Sequence, residues 1–274
     1  MVELPEVEVL RRDLEREVVG KKVKAVDVKT MAALAHYKNR KAFSSLLEGT
    51  KFCSVARKGV RLLIELDNEH TLIIAVGNGS LRKVTGKEKN LPVAEITINF
   101  VQGGSLLYVM NGPGGDFFVA PTENIDSAIP EFEHVGFDPV EVPISWGLFG
   151  ELLIRRPSNL KHFLTDQAIM TGIGELYADE ILFNAGVRHD RASVSLSSQE
   201  VRRLYRAVVE TLHDAIKYRG TSLPENGYVD LYGKPGEYQP QVYGREGQRS
   251  PRSRNLIQRV KFEGRWTYFC DTQV

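Results

Sequence analysis

From Leu4 to Val18 the apolar residues recur three and four positions apart, at Leu4, Val7, Leu10, Leu14 and Val18, with Arg11, Arg12, Glu15 and Arg16 between them. That spacing predicts an amphipathic helix with one buried face, and Gly20 supplies its stop. The pattern then shifts to short β-type runs at Val23–Val28, Phe52–Ala56, Arg61–Leu66, Thr71–Val76, Ala94–Phe100 and Ser105–Met110. Turn-forming stretches such as Asp67-Asn68-Glu69-His70 and Gln102-Gly103-Gly104 separate some of them. Lys41–Leu47 reads as a short helix. Residues 1–130 are therefore expected to form a β-rich domain, sandwich or barrel, led by one helix.

Gly136, Pro139 and Pro143 interrupt regular structure, and residues 131–143 are expected to be a linker. Beyond it the period is helical: Trp146–Ile154, Asn159–Ile169, Leu176–Ala185 and Ser198–Tyr218. Residues 144–240 thus read as a helical domain. The tail, 241–274, carries Arg245, Arg249, Arg252, Arg254, Arg259, Lys261 and Arg265 against Glu246 and Glu263 up to Cys270. Its β-type runs Leu256–Phe262 and Trp266–Phe269 flank a Glu263-Gly264 turn, which predicts a basic hairpin. The fold class is α+β.

Composition narrows the function classes. Apolar content of 42% is that of an ordinary globular chain. No run approaches the roughly 18 apolar residues of a membrane span, so no membrane partner is expected. The acidic, helix-like start does not read as a signal peptide. Cys53 and Cys270 could form a single bridge, and a reduced, cytoplasmic setting is the simpler reading. The six histidines show no metal-ligand spacing with one another or with the cysteines. A net charge of +1 gives no bulk argument for nucleic-acid binding, so that case rests on local patches such as the tail.

Two places carry candidate chemistry. At the N-terminus, Pro5 suits a first helical turn, and Glu3, Glu6 and Glu8 place negative charge at the positive end of the helix dipole. An ordinary capped helix would look the same. The functional alternative is an amine nucleophile beside a carboxyl acid/base: the terminal amine, at Val2 once Met1 is removed, with Glu3 and Glu6. In the middle, Thr171-Gly172-Ile173-Gly174 breaks two helical runs within residues 161–186. Such a turn can offer backbone N–H groups and a helix N-terminus to a phosphate. Glu175 sits at the same place, and its charge opposes that use.

Four blocks in order, VELPEVE, LTDQAIMTGIGELYADEILFNAG, YRGTSL followed by GKPGEYQPQVYGREG, and IQRVKFEGRWTYFC, resemble the formamidopyrimidine-DNA glycosylase/endonuclease VIII family over nearly the whole length. The resemblance implies a helix plus β-sandwich, a helix–two-turn–helix domain and a zinc-finger hairpin. It implies removal of damaged bases and strand cleavage at the abasic site, with DNA as partner and a monomeric, nucleoid-associated enzyme without cofactor. It implies Val2, Glu3 and Glu6 as catalytic residues and Lys161, Gly172, Gly174, Arg259 and Arg265 as DNA contacts. The stretch Thr221–Tyr238 would be a base-recognition loop.

The chain departs from that pattern in several places. Val2 replaces the family's N-terminal proline. Val60 stands where a glycosylase lysine is expected, with Lys58 and Arg61 as possible substitutes. Asn78 and the loop Asn111–Asp116 replace the residues that fill the gap left by an extruded base. Glu175 replaces a phosphate-binding asparagine. Ser250, Ser253, Cys270 and Gln273 occupy the places of four zinc-binding cysteines, so the hairpin is expected to hold without metal, through Ile257, Val260, Phe262, Trp266 and Phe269. Two readings remain open: a glycosylase with abasic-site lyase activity on damaged, abasic or single-stranded DNA, and a DNA-binding relative whose chemistry is impaired.

Overall fold

The computed structural model describes residues 2–86, 88, 91–223 and 227–274. Met1 and residues 224–226 of the expected recognition loop lie outside the described residues. The chain divides into two compact units, Met1–Glu133 with Tyr218–Glu237, and His134–Lys217 with Tyr238–Val274.

In the first unit, α1 (Leu4–Val18) follows the predicted spacing, with Leu4, Val7, Leu10, Leu14 and Val18 all buried. Two four-stranded antiparallel sheets make a sandwich. One has the order β1 (Val23–Val28), β6 (Ile96–Phe100), β7 (Ser105–Val109), β5 (Ser80–Val84). The other runs β2 (Phe52–Lys58), β3 (Arg61–Leu66), β4 (His70–Ala75), β8 (Asp116–Pro121). The short helix α2 (Arg40–Leu47) is capped by the Asn39 side chain, which accepts the Ala42 N–H. Leu10, Leu14, Phe43, Phe52, Leu62, Ile74, Ile98 and Phe117 belong to one core shared by α1 and the strands. Strands β5 and β8 are not evident in the apolar pattern. β5 carries Arg82 and Lys83, and β8 starts directly after a glycine-rich loop.

A polar clamp ties α1 to β2. The Glu8 carboxylate is buried and accepts from Arg11 at 3.0 Å, Arg12 at 2.7 Å and Arg57 of β2 at 3.1 Å. Burial opposes its ionisation, but the hydrogen bonds from Arg11, Arg12 and Arg57 prevail and hold its carboxyl at about 2. A folded-state value below the unfolded one makes the contribution to stability fully present above the ordinary carboxylate range and lost as pH falls toward 2. Discounted for the exposure of Arg12, the clamp contributes about 2 kcal/mol. Urea unfolding of Glu8→Gln is expected to show that loss at pH 7, with the gap to the parent protein narrowing by pH 3.

The second unit contains α4 (Trp146–Arg155), α5 (Leu160–Thr165), α6 (Glu175–Ala185), α7 (Ser198–Lys217) and the hairpin β9 (Gln258–Phe262)/β10 (Arg265–Phe269). The short α3 (Ile125–Ala128) precedes them in the first unit. The residues expected as a linker are packed rather than free. Gly136 and Phe137 donate to the carbonyls of Gln167 and Ile169, and a Cβ on Gly136 would lie 2.2 Å from the Ile169 carbonyl carbon. The helix expected over Asn159–Ile169 stops at Thr165, with Asp166 at its C-cap. Residues 218–237, read from sequence as part of the helical domain, belong instead to the first unit, where Arg219 bridges Asp13 of α1 and Asp230. The distinction is invisible locally because the contacts that decide it span some two hundred residues.

Candidate functional site

The first candidate site is the start of α1. Val2 is 8% exposed and belongs to the sandwich core. Glu3 is the N-cap in extended conformation and forms a capping box with Glu6: its carboxylate accepts the Glu6 N–H, and Glu6 Oε2 accepts the Glu3 N–H at 3.1 Å. Glu6, 2% exposed, also accepts the Thr221 N–H on Oε1 at 2.9 Å. Both Glu6 oxygens therefore hold backbone, so its geometry is that of a positioning residue, whereas Glu3 is partly exposed beside the candidate nucleophile. Gly220, at φ +89°, is required here, since a Cβ would lie 2.6 Å from the Tyr228 ring and 3.0 Å from Glu6 Cγ. The buried Tyr228 hydroxyl has no hydrogen-bond partner among the described residues. Burial and the charge of Glu6 raise its pKa well above the ordinary tyrosine value.

The two loops that depart from the family pattern pack on each other. Gly77, at φ +60°, faces Gly114 so closely that a Cβ would lie 2.2 Å from its carbonyl carbon. Asn78 donates its backbone N–H to Pro113 at 3.4 Å, and its side chain lies against Gly112. The buried Tyr108 ring fills the space beneath Gly79 and Gly115 and donates to the Val76 carbonyl at 3.1 Å. Between Gly77 and Gly79 and between Gly112 and Gly115 the side chains are Asn78 and Pro113, and neither stretch carries an aromatic or long aliphatic side chain to replace a lost stacking partner. Val60 is exposed at the β2–β3 turn. Its possible substitutes both have carboxylate partners: Lys58 meets Asp126 at 2.6 Å, and Arg61 meets Glu131 at 3.2 Å. Surface pairs of this kind are weak and exchange readily.

In the second unit the structure brings Lys161, Glu175 and Arg265 together. Lys161, buried on α5, donates to Asp179 Oδ1 at 2.9 Å, Thr267 Oγ1 at 2.7 Å and the Trp266 carbonyl at 2.9 Å. Its Nζ also lies 2.8 Å from Glu175 Oε2, while Arg265 Nη1 donates to Glu175 Oε1 at 2.9 Å. Lys161, Glu175 and Arg265 line a cavity of about 220 Å³ together with His162, Thr165 and Glu263. Asp179 is wholly buried and also accepts the Tyr268 N–H at 2.8 Å. Burial pushes its carboxyl up to about 7 against the pull of Lys161. Gly174 caps α6, but the Gly172 N–H is already used by Gln167 Oε1 at 2.7 Å. Arg259 is elsewhere on the hairpin, paired with Glu246 at 2.9 Å and stacked 4.2 Å from the Trp266 ring centre.

The residues at the four expected zinc positions do not fit zinc. Only Cys270 offers a thiol, and its neighbours bind one another instead. Gln273 Oε1 accepts the Cys270 N–H at 2.8 Å, its amide donates to Val187 at 2.9 Å, and Ser253 Oγ lies 3.3 Å from Cys270 Sγ. Among the described residues no group of three or more His, Cys, Asp or Glu side chains could hold a metal ion. Cys270 packs with Ile257, Val242 and Phe183 of α6. The expected hairpin core is corrected in one respect: Ile257 and Phe269 are buried, but Trp266 is 50% exposed. Strand alternation turns it to the outer face, under Arg259.

Sequence reasoning missed Asp179, Glu180 and Thr221. Adjacent acids in the apolar stretch LYADEILF of α6 were the available signal. A helix buried on nearly every side leaves charges at 179 and 180 no route to solvent, so each must have a built partner. Among the described residues, no helix is long and apolar enough to cross a membrane.

Comparison with known proteins agrees with this geometry. Residues 1–110 match the formamidopyrimidine-DNA glycosylase N-terminal domain, and residues 135–226 match the formamidopyrimidine-DNA glycosylase H2TH domain. The formamidopyrimidine-DNA glycosylase of Pelotomaculum thermopropionicum is 31% identical, over 99% of this chain and 98% of its own length. That of Heliobacterium modesticaldum is 34% identical over 98% of each. The MutM (Fpg) protein of Thermus thermophilus superposes with a TM-score of 0.85 at 32% identity, covering 98% of this chain and 97% of that one. Lactococcus lactis Fpg, in complex with DNA containing an abasic site, gives 0.86 at 27% identity with the same coverage.

Proposed function

Because the chain belongs to the formamidopyrimidine-DNA glycosylase family, we propose that it is a DNA repair glycosylase acting on damaged DNA, and that it cuts the strand at the abasic site through a Schiff base on the Val2 amine. The observation that carries this reading is the built start of α1, where Glu3 is held by Glu6, which also accepts the Thr221 N–H, and Val2 beside it is packed into the core. An α-amine has an ordinary pKa near 8, so a usable fraction is neutral at pH 7. Its nitrogen attacks C1′ of the sugar, and the base departs with its bonding electrons and a proton. At a pre-existing abasic site the same attack on the aldehyde expels water. In the first case a proton passes to O4′ and the C1′–O4′ bond breaks, opening the sugar ring; in both cases the resulting iminium acidifies the C2′ hydrogen. Loss of that proton expels the 3′ phosphate, and water then releases the amine. Glu3 moves the protons of these steps, and Glu6 keeps it in place.

Lys161 and Arg265 are the proposed backbone contacts. The glycine-rich loops at 77–79 and 112–115 support a preference for DNA that needs little base extrusion, such as abasic sites, single strands or distorted duplexes. The alternative, a DNA-binding relative with impaired chemistry, is favoured by Val60, by Asn78 in place of the wedge, and by Glu175.

Borohydride trapping on DNA with one abasic site, beside intact-mass analysis, separates the two. The expected result is an adduct that maps to Val2 and vanishes when Met1 is forced to remain. Protein beginning at Val2 that gives no adduct on duplex or single-stranded DNA would refute the lyase reading.

A further inference from the structure

We propose that Glu175 is a built-in competitor for the DNA backbone: its carboxylate takes the place of a phosphodiester between Lys161 and Arg265, and DNA gains those two contacts only by displacing it. This rests on the DNA-binding reading above. The geometry is that of a bound oxyanion. One carboxylate oxygen lies 2.8 Å from the Lys161 ammonium and the other 2.9 Å from an Arg265 nitrogen. Two oxygens of one phosphate would engage the same pair of cations in the same way.

Donor capacity points the same way. An ammonium has three protons. Lys161 gives its hydrogen bonds to Asp179, Thr267 and the Trp266 carbonyl, so Glu175 Oε2 is held by charge, without a hydrogen-bond partner among the described residues, and is the one of these contacts most easily given up. Glu175 also sets a carboxylate against both Lys161 and Arg265. A neutral side chain at position 175 would leave this cluster one unit more positive. The carboxylate is also held in place by its position in the first turn of α6, where the helix dipole favours an anion. Glu175 is nevertheless partly exposed and borders the 220 Å³ cavity, so it has room to swing out. Glu175 is therefore a competitor and not a block. It lowers the salt-sensitive grip on the backbone and shifts discrimination toward the lesion itself.

The test uses the full chain and five proteins: parent, Glu175→Gln, Glu175→Ala, Arg265→Ala and the Glu175→Gln/Arg265→Ala double variant. Fluorescence anisotropy would measure binding to a duplex with a tetrahydrofuran abasic analogue over a range of KCl. Glu175→Gln is expected to bind about 3- to 10-fold more tightly, with a salt slope steeper by about 0.9, the value for one added phosphate contact. Arg265→Ala should cost at least about threefold more in the Glu175→Gln background than in the parent, since in the parent Arg265 must give up Glu175 before it meets phosphate, which offsets part of the contact. Glu175→Ala, which cannot bond either cation, must give the same direction, so a defect peculiar to Gln is recognised. Parent protein that binds DNA while both substitutions at 175 leave affinity and slope unchanged, or equal cost of Arg265→Ala in the two backgrounds, overturns the proposal and leaves the DNA-binding reading standing. No binding by any of the five overturns both.

Discussion

Replacing Glu3 by Gln is expected to reduce strand cleavage at an abasic site by about 10²- to 10⁴-fold, the range for removing a positioned acid/base. Glutamine keeps an oxygen that can accept the Glu6 N–H, so the capping box and the start of α1 survive the change. It cannot exchange a proton. DNA affinity should therefore stay within about twofold of the parent, and the melting temperature should hardly move. Single-turnover cleavage of an abasic duplex, with affinity measured in parallel, makes the comparison. Cleavage within about threefold of the parent would show that the carboxyl does no proton transfer and that Glu3 serves only as a helix cap.

Glu6→Gln provides the contrast. Both of its oxygens accept backbone N–H groups, from Glu3 and Thr221. An amide can serve only one of them as acceptor, and its NH₂ then faces the other donor. The loss in rate should be smaller than for Glu3→Gln and accompanied by a loss of stability of about 1–3 kcal/mol, the cost of an unsatisfied buried donor. Activity and stability move together at Glu6 and separately at Glu3, which distinguishes positioning from chemistry.

The parts of this molecule that can be read in the sequence are those written in local periodicity. The 3–4 spacing of Leu4, Val7, Leu10, Leu14 and Val18 yields α1 directly, and the β-type runs yield six of the sandwich strands. What escapes is decided at long range. Glu6 meets Thr221 across 215 positions, and Arg219 meets Asp13 across 206, so no window could assign residues 218–237 to the first unit. Trp266 resembles hairpin core because it is large and apolar, but a two-stranded hairpin has two faces and only one is covered. Arg252, one of the tail's many cations, donates to the Phe183 and Asn184 carbonyls at the end of α6. Its role is to cap a helix, whereas composition groups it with candidate DNA contacts. The charge of Glu175 already marks it as an obstacle to phosphate; that Lys161 and Arg265 hold it is decided by the packing of α5, α6 and the hairpin.

Glu180→Ala is expected to be the most destabilising single substitution considered, at about 3–5 kcal/mol. Glu180 is wholly buried on α6 and gathers four donors: the N–H groups of Gln241, Val242 and Tyr243 at 2.7, 2.8 and 2.9 Å, and the Tyr238 hydroxyl at 3.1 Å. Burying a carboxylate is costly, and burial raises its pKa against the pull of these donors. That cost is offset only because the loop at 238–243 is folded around it. With alanine the donors remain in place and lose their acceptor, each unsatisfied group costing about 1 kcal/mol or more. The alternative is for the loop to unfold and expose Val242, which packs with Phe183, Ile257 and Cys270. Either way the hairpin, which has no zinc site to hold it, loses its attachment to α6 on this side. Glu180→Gln keeps one good acceptor and should recover about half of the loss. Urea unfolding at pH 7 measures both variants, and hydrogen exchange at residues 241–243 should lose protection first. Glu180→Ala within about 1 kcal/mol of the parent would mean that water replaces the carboxylate and that the loop is held by its apolar contacts alone.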